Sequence, residues 1–153
     1  MTRRQETIAT FFYIGRVPRI PGTIASFAAT LWVGAVACAP AALIWHLIIL
    51  GLLIVAGQPS AQAYAEWSKQ DDPSQVVIDE VLGIFVTFVQ VAASWKSLLA
   101  GFVLFRVFDI WKPFPIRYFD RRLKNGFGVM FDDLLAAFYA VIVLKGALWV
   151  TMN

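Results

Sequence analysis

The sequence lacks most of the residues that enzymes use as soft metal ligands or strong nucleophiles. Its 153 residues include one cysteine, Cys38, and one histidine, His46. A lone cysteine excludes an intrachain disulfide, and these two residues cannot build a zinc site. One histidine cannot act as both nucleophile and acid, and no G-x-S-x-G motif is present. We therefore expect His46 to be a packed or hydrogen-bonded residue and Cys38 to be a small apolar one.

Charge is scarce as well. Charged residues make up 15% of the chain and hydrophobic residues 59%, and the mean hydropathy is +0.69. A soluble domain has about 25% charged and about 45–50% apolar residues. The composition therefore predicts an all-α, polytopic membrane bundle, whose partner is the membrane and not nucleic acid. With no linker, low-complexity run or internal repeat, residues 1–153 are expected to form a single domain.

Apolar runs predict four to five helices that span or re-enter the membrane. The first two are short, and only residues 38–41 remain to connect them, so this pair is either a tight hairpin or partly re-entrant. The predicted ranges are 24–40, 41–57, 76–94, 97–112 and 132–150.

The arginines predict an orientation for these spans. Four of them lie within the first 19 residues, a segment that we expect to be interfacial and cytoplasmic by the positive-inside rule. Five crossings would place residues 58–75 and 113–131 on the same side, and the second of these loops is again basic.

Five acids interrupt the apolar stretches. Asp79 and Glu80 lie in VVIDEVLG, Asp109 in FRVFDIWKP, and Asp132 with Asp133 in GVMFDDLLAAF. Carboxylates in such surroundings are costly unless cations or hydrogen bonds stabilise them. The predicted topology puts them in the first turn of the third span, the last turn of the fourth and the first turn of the fifth. We therefore predict a single acidic layer at the cytoplasmic interface.

The third span has one small and polar face. Asp79, Gly83, Thr87 and Gln90 recur on a single stripe of a helix with 3.6 residues per turn. We expect this stripe to point into the bundle.

The residue types in the acidic layer indicate phosphoryl chemistry. Carboxylates from three helix ends suit Mg²⁺, which prefers oxygen ligands and keeps waters and substrate phosphate. Arg106 and Lys112, three residues before and after Asp109, would bind phosphate oxygens. The attacking group would be water or an aspartate, and both routes are open.

Structural roles are also open for some of these acids. Asp109 could form an ion pair with Arg106 or Lys112 that makes a buried charge tolerable. Asp132 and Asp133 could cap the fifth helix, where negative charge complements the helix dipole.

Two other functional classes would also use an acidic cluster. An ion or proton carrier should place its acids near the membrane midplane, whereas these are expected at one face. A phospholipid headgroup transferase would share the acids and Mg²⁺, but the D-G-x-x-A-R run of the lipid alcohol phosphotransferases is missing.

Four segments carry a resemblance to a known family: PGTIAS (21–26), VVIDEVLG (76–83), GFVLFRVFDIWKPFPIRYFDR (101–121) and NGFGVMFDDLLAA (125–137). They resemble bacterial phosphatidylglycerophosphatase A, a family of Mg²⁺-dependent inner-membrane enzymes that dephosphorylate phosphatidylglycerophosphate to phosphatidylglycerol. The third segment is long and unusual enough to make the resemblance specific.

The resemblance implies an active site facing the cytoplasm, Mg²⁺ as cofactor and an anionic phospholipid, phosphatidylglycerophosphate, as substrate. Pro21 and Gly22 would belong to this site, and Ala25 stands where the family usually has glycine. Catalysis and metal binding would fall to Asp79, Glu80, Asp109, Asp132 and Asp133, and binding of the substrate phosphate to Thr23, Ser26, Arg106 and Lys112.

Overall fold

Helices account for the regular structure of the chain. The computed structural model describes residues 1–89, 91–122 and 126–152, so Gln90 of the predicted stripe lies outside the described residues. Within them there is no strand, and a 3₁₀ turn lies at Ile14–Arg16. The α-helices are α1 (Arg3–Ala9), α2 (Pro21–Ala37), α3 (Ala42–Ser68), α4 (Ile78–Thr87), α5 (Trp95–Trp111), α6 (Ile116–Arg122) and α7 (Gly126–Met152). The predicted all-α class is confirmed.

The short helix α4 forms the centre of the bundle. It packs against α2, α3, α5 and α7, and eight of its ten residues are buried. A helix that is buried on all sides must be apolar all round, and α4 is, apart from its acids and Thr87. Thr87 satisfies its hydroxyl by donating to the Gly83 carbonyl at 2.9 Å. The described part of the predicted stripe, Asp79, Gly83 and Thr87, is buried in the bundle as expected.

His46 ties α3 to this central helix. Its ring is buried, and Nε2 lies 2.8 Å from the backbone carbonyl oxygen of Phe85. The ring also contacts the Phe85 ring, with centroids 5.1 Å apart. His46 is therefore an interhelical hydrogen-bonding residue, as predicted, and lies away from the acids.

The second predicted span is longer than expected. Residues 58–68 were predicted to lie in a loop, but α3 continues through Pro59 to Ser68. Proline leaves the carbonyl of Val55 without its helical donor, which usually kinks or ends a helix. The Ser60 hydroxyl donates to the carbonyl of the next residue, Ala56, at 2.7 Å. This hydrogen bond lies beside the carbonyl that Pro59 leaves without a donor.

The third and fifth predicted spans also have different boundaries. The third, predicted over 76–94, is helical from Ile78 to Thr87, and residues 88, 89 and 91–94 lie outside the helix. The fifth, predicted over 132–150, begins at Gly126, so no acid lies in its first turn. The interpretation of Asp132 and Asp133 as first-turn caps of this helix is therefore wrong.

Two helices are long and apolar enough to cross a membrane in the described parts of the chain, namely α3 and residues 130–150 of α7. Only 17% of the most apolar stretch of α3 and 28% of that of α7 are buried, unlike a core helix of a soluble protein. Helices α2 and α5, at 17 residues, rise about 25 Å each. These features are consistent with a helical membrane protein, whereas the number of crossings stays a prediction.

The N-terminal segment packs into the bundle just ahead of the acids. Helix α1 lies against α3, and the Val77 N–H donates to the Ala9 carbonyl at 2.9 Å. Phe11 stacks on Trp32 of α2, with ring centroids 6.0 Å apart. Residues 1–19 therefore hold the chain that leads into α4.

Gly15 tests this contact. A Cβ on Gly15 would overlap the backbone carbonyl of Gln75, which precedes α4. We expect Gly15→Ala to lower the free energy of unfolding by about 1–3 kcal/mol, as overpacking does. Thermal unfolding in detergent would measure the change. Gly51→Ala is the matched control, since no described atom lies within 4 Å of a Cβ there. Equal melting temperatures for both variants would contradict the contact.

Candidate active site

Five helices bring polar residues together around a cavity of about 590 Å³. The N-terminal ends of α2 and α4, the C-terminal end of α5, one residue of α6 and the first two turns of α7 contribute to its wall. Eight of the nine predicted site residues line this cavity: Thr23, Asp79, Glu80, Arg106, Asp109, Lys112, Asp132 and Asp133.

Three carboxylates converge on one side of the cavity. Asp79, Glu80 and Asp133 each offer one oxygen, and these oxygens all lie within 4.8 Å of one another. Oδ2 of Asp133 and Oε2 of Glu80 are buried and make no hydrogen bond to any described residue. Three carboxylates with unpartnered oxygens fit a hard divalent cation such as Mg²⁺ or Mn²⁺, which prefers oxygen ligands. We call these three residues the carboxylate trio.

Arg106 lies between two acids on neighbouring helices. Its Nη1 donates to Asp109 Oδ2 at 2.5 Å and lies 3.7 Å from Glu80 Oε1. The ion pair within α5 that the sequence left open is therefore present, and it lines the cavity. Gly22 of α2 is close to this group, and a Cβ there would overlap the Glu80 carboxylate. Glycine thus lets the start of α2 approach the pair.

Lys112 connects two acids on the opposite side. Its ammonium donates to Asp120 Oδ1 at 2.5 Å and also to Asp132 Oδ2. Burial alone would lower the pKa of Lys112, but the hydrogen bonds that its ammonium donates to the two carboxylates outweigh this effect and raise that pKa above its ordinary value. Its backbone is left-handed, with φ of 45° and ψ of 63°, which is unfavourable for a lysine. The two carboxylates therefore fix a strained residue at the end of α5.

The start of α2 supplies free backbone donors. Pro21 occupies the first helical position, where its missing N–H costs nothing, and Thr23 lies in the first turn beside the cavity. The first N–H groups of a helix have no partner within it and attract anions. Ser26 does not line the cavity: it is fully buried, and its hydroxyl donates to the Gly22 carbonyl at 2.7 Å. Ser26 supports the backbone of this first turn.

The chain matches a known protein family along most of its length. The family model of phosphatidylglycerophosphatase A matches residues 7–148, which is nearly the whole chain.

The chain belongs to the phosphatidylglycerophosphatase A family. Membership of this family makes it an enzyme, a phosphatase that acts on a phosphate monoester.

Curated relatives cover most of the chain. It is 41% identical to a phosphatidylglycerophosphatase A of Haemophilus influenzae over 138 residues, which span 90% of this chain and 84% of the relative. It is 33% identical to the Escherichia coli phosphatidylglycerophosphatase A, over 94% of this chain and 83% of the relative. A Bacteroides thetaiotaomicron protein, provisionally named a phosphatidylinositol-3-phosphatase, is 36% identical over 94% of this chain and 92% of its own length. No solved structure matches the chain.

Other residues of this phosphatase line the cavity without having been predicted there. Asp120 is the second partner of Lys112, and Asp71 and Asp72 extend the wall from the segment between α3 and α4. Asp120 lies inside the long segment that carries the family resemblance, which was its available signal. Asp120 and Lys112 are eight residues apart and do not share a helix, because α5 ends before Pro113 and α6 begins at Ile116. Helical periodicity therefore could not predict their contact. Residues 71 and 72 carried no such signal.

The cavity has an excess of negative charge. Among the described lining residues there are eight carboxylic acids and three cationic side chains, Arg19, Arg106 and Lys112. A phosphate monoester carries up to two negative charges, so it would be repelled unless further positive charge is present. A cation at the carboxylate trio would therefore favour binding of a phosphate monoester in this cavity.

Removal of Lys112 tests the ion pair with Asp132. The Asp132 side chain is 8% exposed, so Lys112→Met would leave a buried carboxylate without its cation. We expect the free energy of unfolding in EDTA to fall by about 3 kcal/mol. Denaturation in detergent would measure it, and the double variant Lys112→Met/Asp132→Asn should recover most of the loss. Additive losses in the double variant would show that the pair does not act as a unit.

Proposed function

We propose that this phosphatase hydrolyses the terminal phosphate monoester of phosphatidylglycerophosphate, giving phosphatidylglycerol and inorganic phosphate, with Mg²⁺ as cofactor. The observation that carries the proposal is the carboxylate trio, which lies in one cavity with Arg106, Lys112 and the start of α2. The named substrate of the two phosphatidylglycerophosphatase A relatives supports the choice of lipid.

Asp79, Glu80 and Asp133 would hold the metal ion. They come from two helices, and two of them retain an unpartnered buried oxygen. Asp109 and Asp132, which the sequence also placed among the ligands, already pair with Arg106 and Lys112. Asp109 and Asp132 would therefore lie beside the metal ion and hold the side chains of Arg106 and Lys112 in place. When bound, Mg²⁺ would neutralise phosphate charge and polarise the phosphorus–oxygen bonds.

The cationic side chains and the start of α2 would bind the phosphoryl oxygens. Arg106 would present its guanidinium and Lys112 its ammonium from the end of α5. The N–H groups of Gly22 and Thr23 would complete the cradle. These donors are held in place before the substrate binds. They would therefore stabilise the negative charge that develops in the transition state.

Asp132 is the carboxylate best placed to take part in the attack. Its Oδ2 accepts from Lys112, and its Oδ1 is buried and has no partner among the described residues. Oδ1 would take a proton from a water that attacks phosphorus. The bond between phosphorus and the ester oxygen would then break, and the proton on Oδ1 would pass to that oxygen, so that it leaves as a hydroxyl of phosphatidylglycerol. Direct attack by Oδ1, with later hydrolysis of the acyl phosphate, is the other route.

The lipid would reach this cavity from the bilayer. Exposed apolar side chains on α2, α3, α5 and α7 provide a surface for acyl chains, and the acids lie at one end of the bundle. Arg19 lies on the cavity wall, and α6, which carries Arg117 and Arg122, contributes Asp120 to the same wall. By the positive-inside rule, the site would then lie at the cytoplasmic face of a bacterial inner membrane, in a multi-pass protein.

Activity measurements test the acids. Asp79→Asn, Glu80→Gln and Asp133→Asn should each lower phosphate release from phosphatidylglycerophosphate in mixed micelles by about 100-fold or more, because each removes a charged ligand. EDTA should abolish the wild-type activity and Mg²⁺ should restore it. Glu66→Gln is the control, since Glu66 is an exposed acid outside the cavity.

The same assay decides between lipids and classes of function. Phosphatidylinositol 3-phosphate as a parallel substrate tests the activity named for the Bacteroides relative. Faster release from that lipid would replace the proposed substrate while keeping the site. A folded wild type that binds the metal ion but releases no phosphate from either lipid would favour a carrier or a headgroup transferase.

A further inference from the structure

A second cavity adjoins the active site. It also measures about 590 Å³, and it shares Lys112 with the acidic cavity. Two arginines and three aromatic residues, from the end of α5, the segment that follows it and α6, form most of its wall. These residues, which we call the cationic groove, are Trp111, Lys112, Phe114, Arg117, Tyr118 and Arg122.

The charge of the groove is opposite to that of the acidic cavity. Its cationic lining comprises Lys112, Arg117 and Arg122, and no described carboxylate lines it. An anion would therefore be attracted here without a metal ion, which is not true of the acidic cavity. The acidic cavity would thus bind an anionic group with the help of a metal ion, whereas the cationic groove would bind one through its own side chains.

The two arginines are held at the groove without a carboxylate partner among the described residues. Arg117 Nη2 lies 3.5 Å from the Trp111 carbonyl oxygen, a long contact. The Arg122 guanidinium lies over the Tyr118 ring, 4.5 Å from its centroid. Stacking on an aromatic face orients a guanidinium and leaves its edge N–H groups free for phosphate oxygens.

Exposed aromatic residues place the groove at the membrane surface. Phe114 is 81% exposed, Trp111 64% and Tyr118 44%. Large exposed aromatic rings that lie beside arginines are typical of the interface between lipid headgroups and acyl chains. An occupant of the groove would therefore be at the depth of a phospholipid headgroup.

The proposed substrate carries two phosphates, a terminal monoester and an internal phosphodiester, which are separated by one glycerol unit. We propose that the cationic groove binds the internal phosphodiester while the monoester occupies the acidic cavity, with Lys112 between the two. This inference rests on the proposed function and makes Arg117 and Arg122 determinants of substrate specificity. A lipid phosphate without an internal phosphodiester in this position would lose these contacts.

Steady-state kinetics of the full chain in mixed micelles test the groove. Arg117→Gln and Arg122→Gln should each raise the interfacial KM for phosphatidylglycerophosphate about tenfold, as loss of a charge-assisted hydrogen bond does, and leave kcat within about twofold. Arg→Lys at either position should recover part of the loss. Lys96→Gln is the control, because Lys96 is an exposed cation at the start of α5, outside both cavities.

Inhibition by the two reaction products distinguishes binding in the cationic groove from binding in the acidic cavity. Phosphatidylglycerol, which retains the phosphodiester, should inhibit the arginine variants about tenfold less well than the wild type. Inorganic phosphate, which resembles only the monoester, should inhibit all of them equally.

Three results would overturn the inference. Unchanged KM values would show that the arginines do not touch the substrate. Weaker binding to micelles with an unchanged interfacial KM would show that they only attract the protein to an anionic surface. If the wild type releases no phosphate from phosphatidylglycerophosphate, the proposed function fails and the groove assignment fails with it, whereas an active wild type with unaffected variants removes only the groove.

Discussion

The structure depends on how an apolar bundle accommodates charged carboxylates at the start of its central helix. Helix α4 is buried by four neighbouring helices, and its first turn carries Asp79 and Glu80. Two adjacent acids in such a place are unfavourable unless positive charge reaches them. Arg106 approaches Glu80 from α5 but is shared with Asp109, so it does not neutralise both acids. The negative charge that remains uncompensated would give the site affinity for a cation.

Helices α5 and α7 place further charged residues around these acids. Helix α7 adds Asp133 to the trio and Asp132 to the Lys112 ion pair, so adjacent residues serve two different groups. Lys112 holds a left-handed backbone between Asp120 and Asp132 and ends α5 at the edge of the cavity. The same lysine lies on the wall of the cationic groove. One residue therefore lines both the cavity that would hold the metal ion and the groove that would bind the lipid headgroup.

The sequence predicted which acids lie together better than it predicted the boundaries of the helices that carry them. Acids inside apolar runs are recognisable because burial makes them costly, and Asp79, Glu80, Asp109, Asp132 and Asp133 do line one cavity. Boundaries were wrong where tertiary contacts override local propensity, as at Pro59, which α3 incorporates. Asp120 was missed because its contact with Lys112 depends on the path of the chain between α5 and α6, which no periodicity describes. Ser26 was predicted to bind phosphate, but its hydroxyl donates to the Gly22 carbonyl one turn earlier.

Equilibrium binding of Mn²⁺, a paramagnetic substitute for Mg²⁺, tests the central claim without relying on turnover. Titration of the detergent-solubilised protein, followed by electron paramagnetic resonance of the free ion, would give the number and affinity of sites. We expect a bound ion that is lost in Glu80→Gln and Asp133→Asn and retained in Asp120→Asn, whose carboxylate is outside the trio. Binding that is unchanged in the first two variants, or weakened equally in all three folded variants, would contradict a specific cation site at Asp79, Glu80 and Asp133.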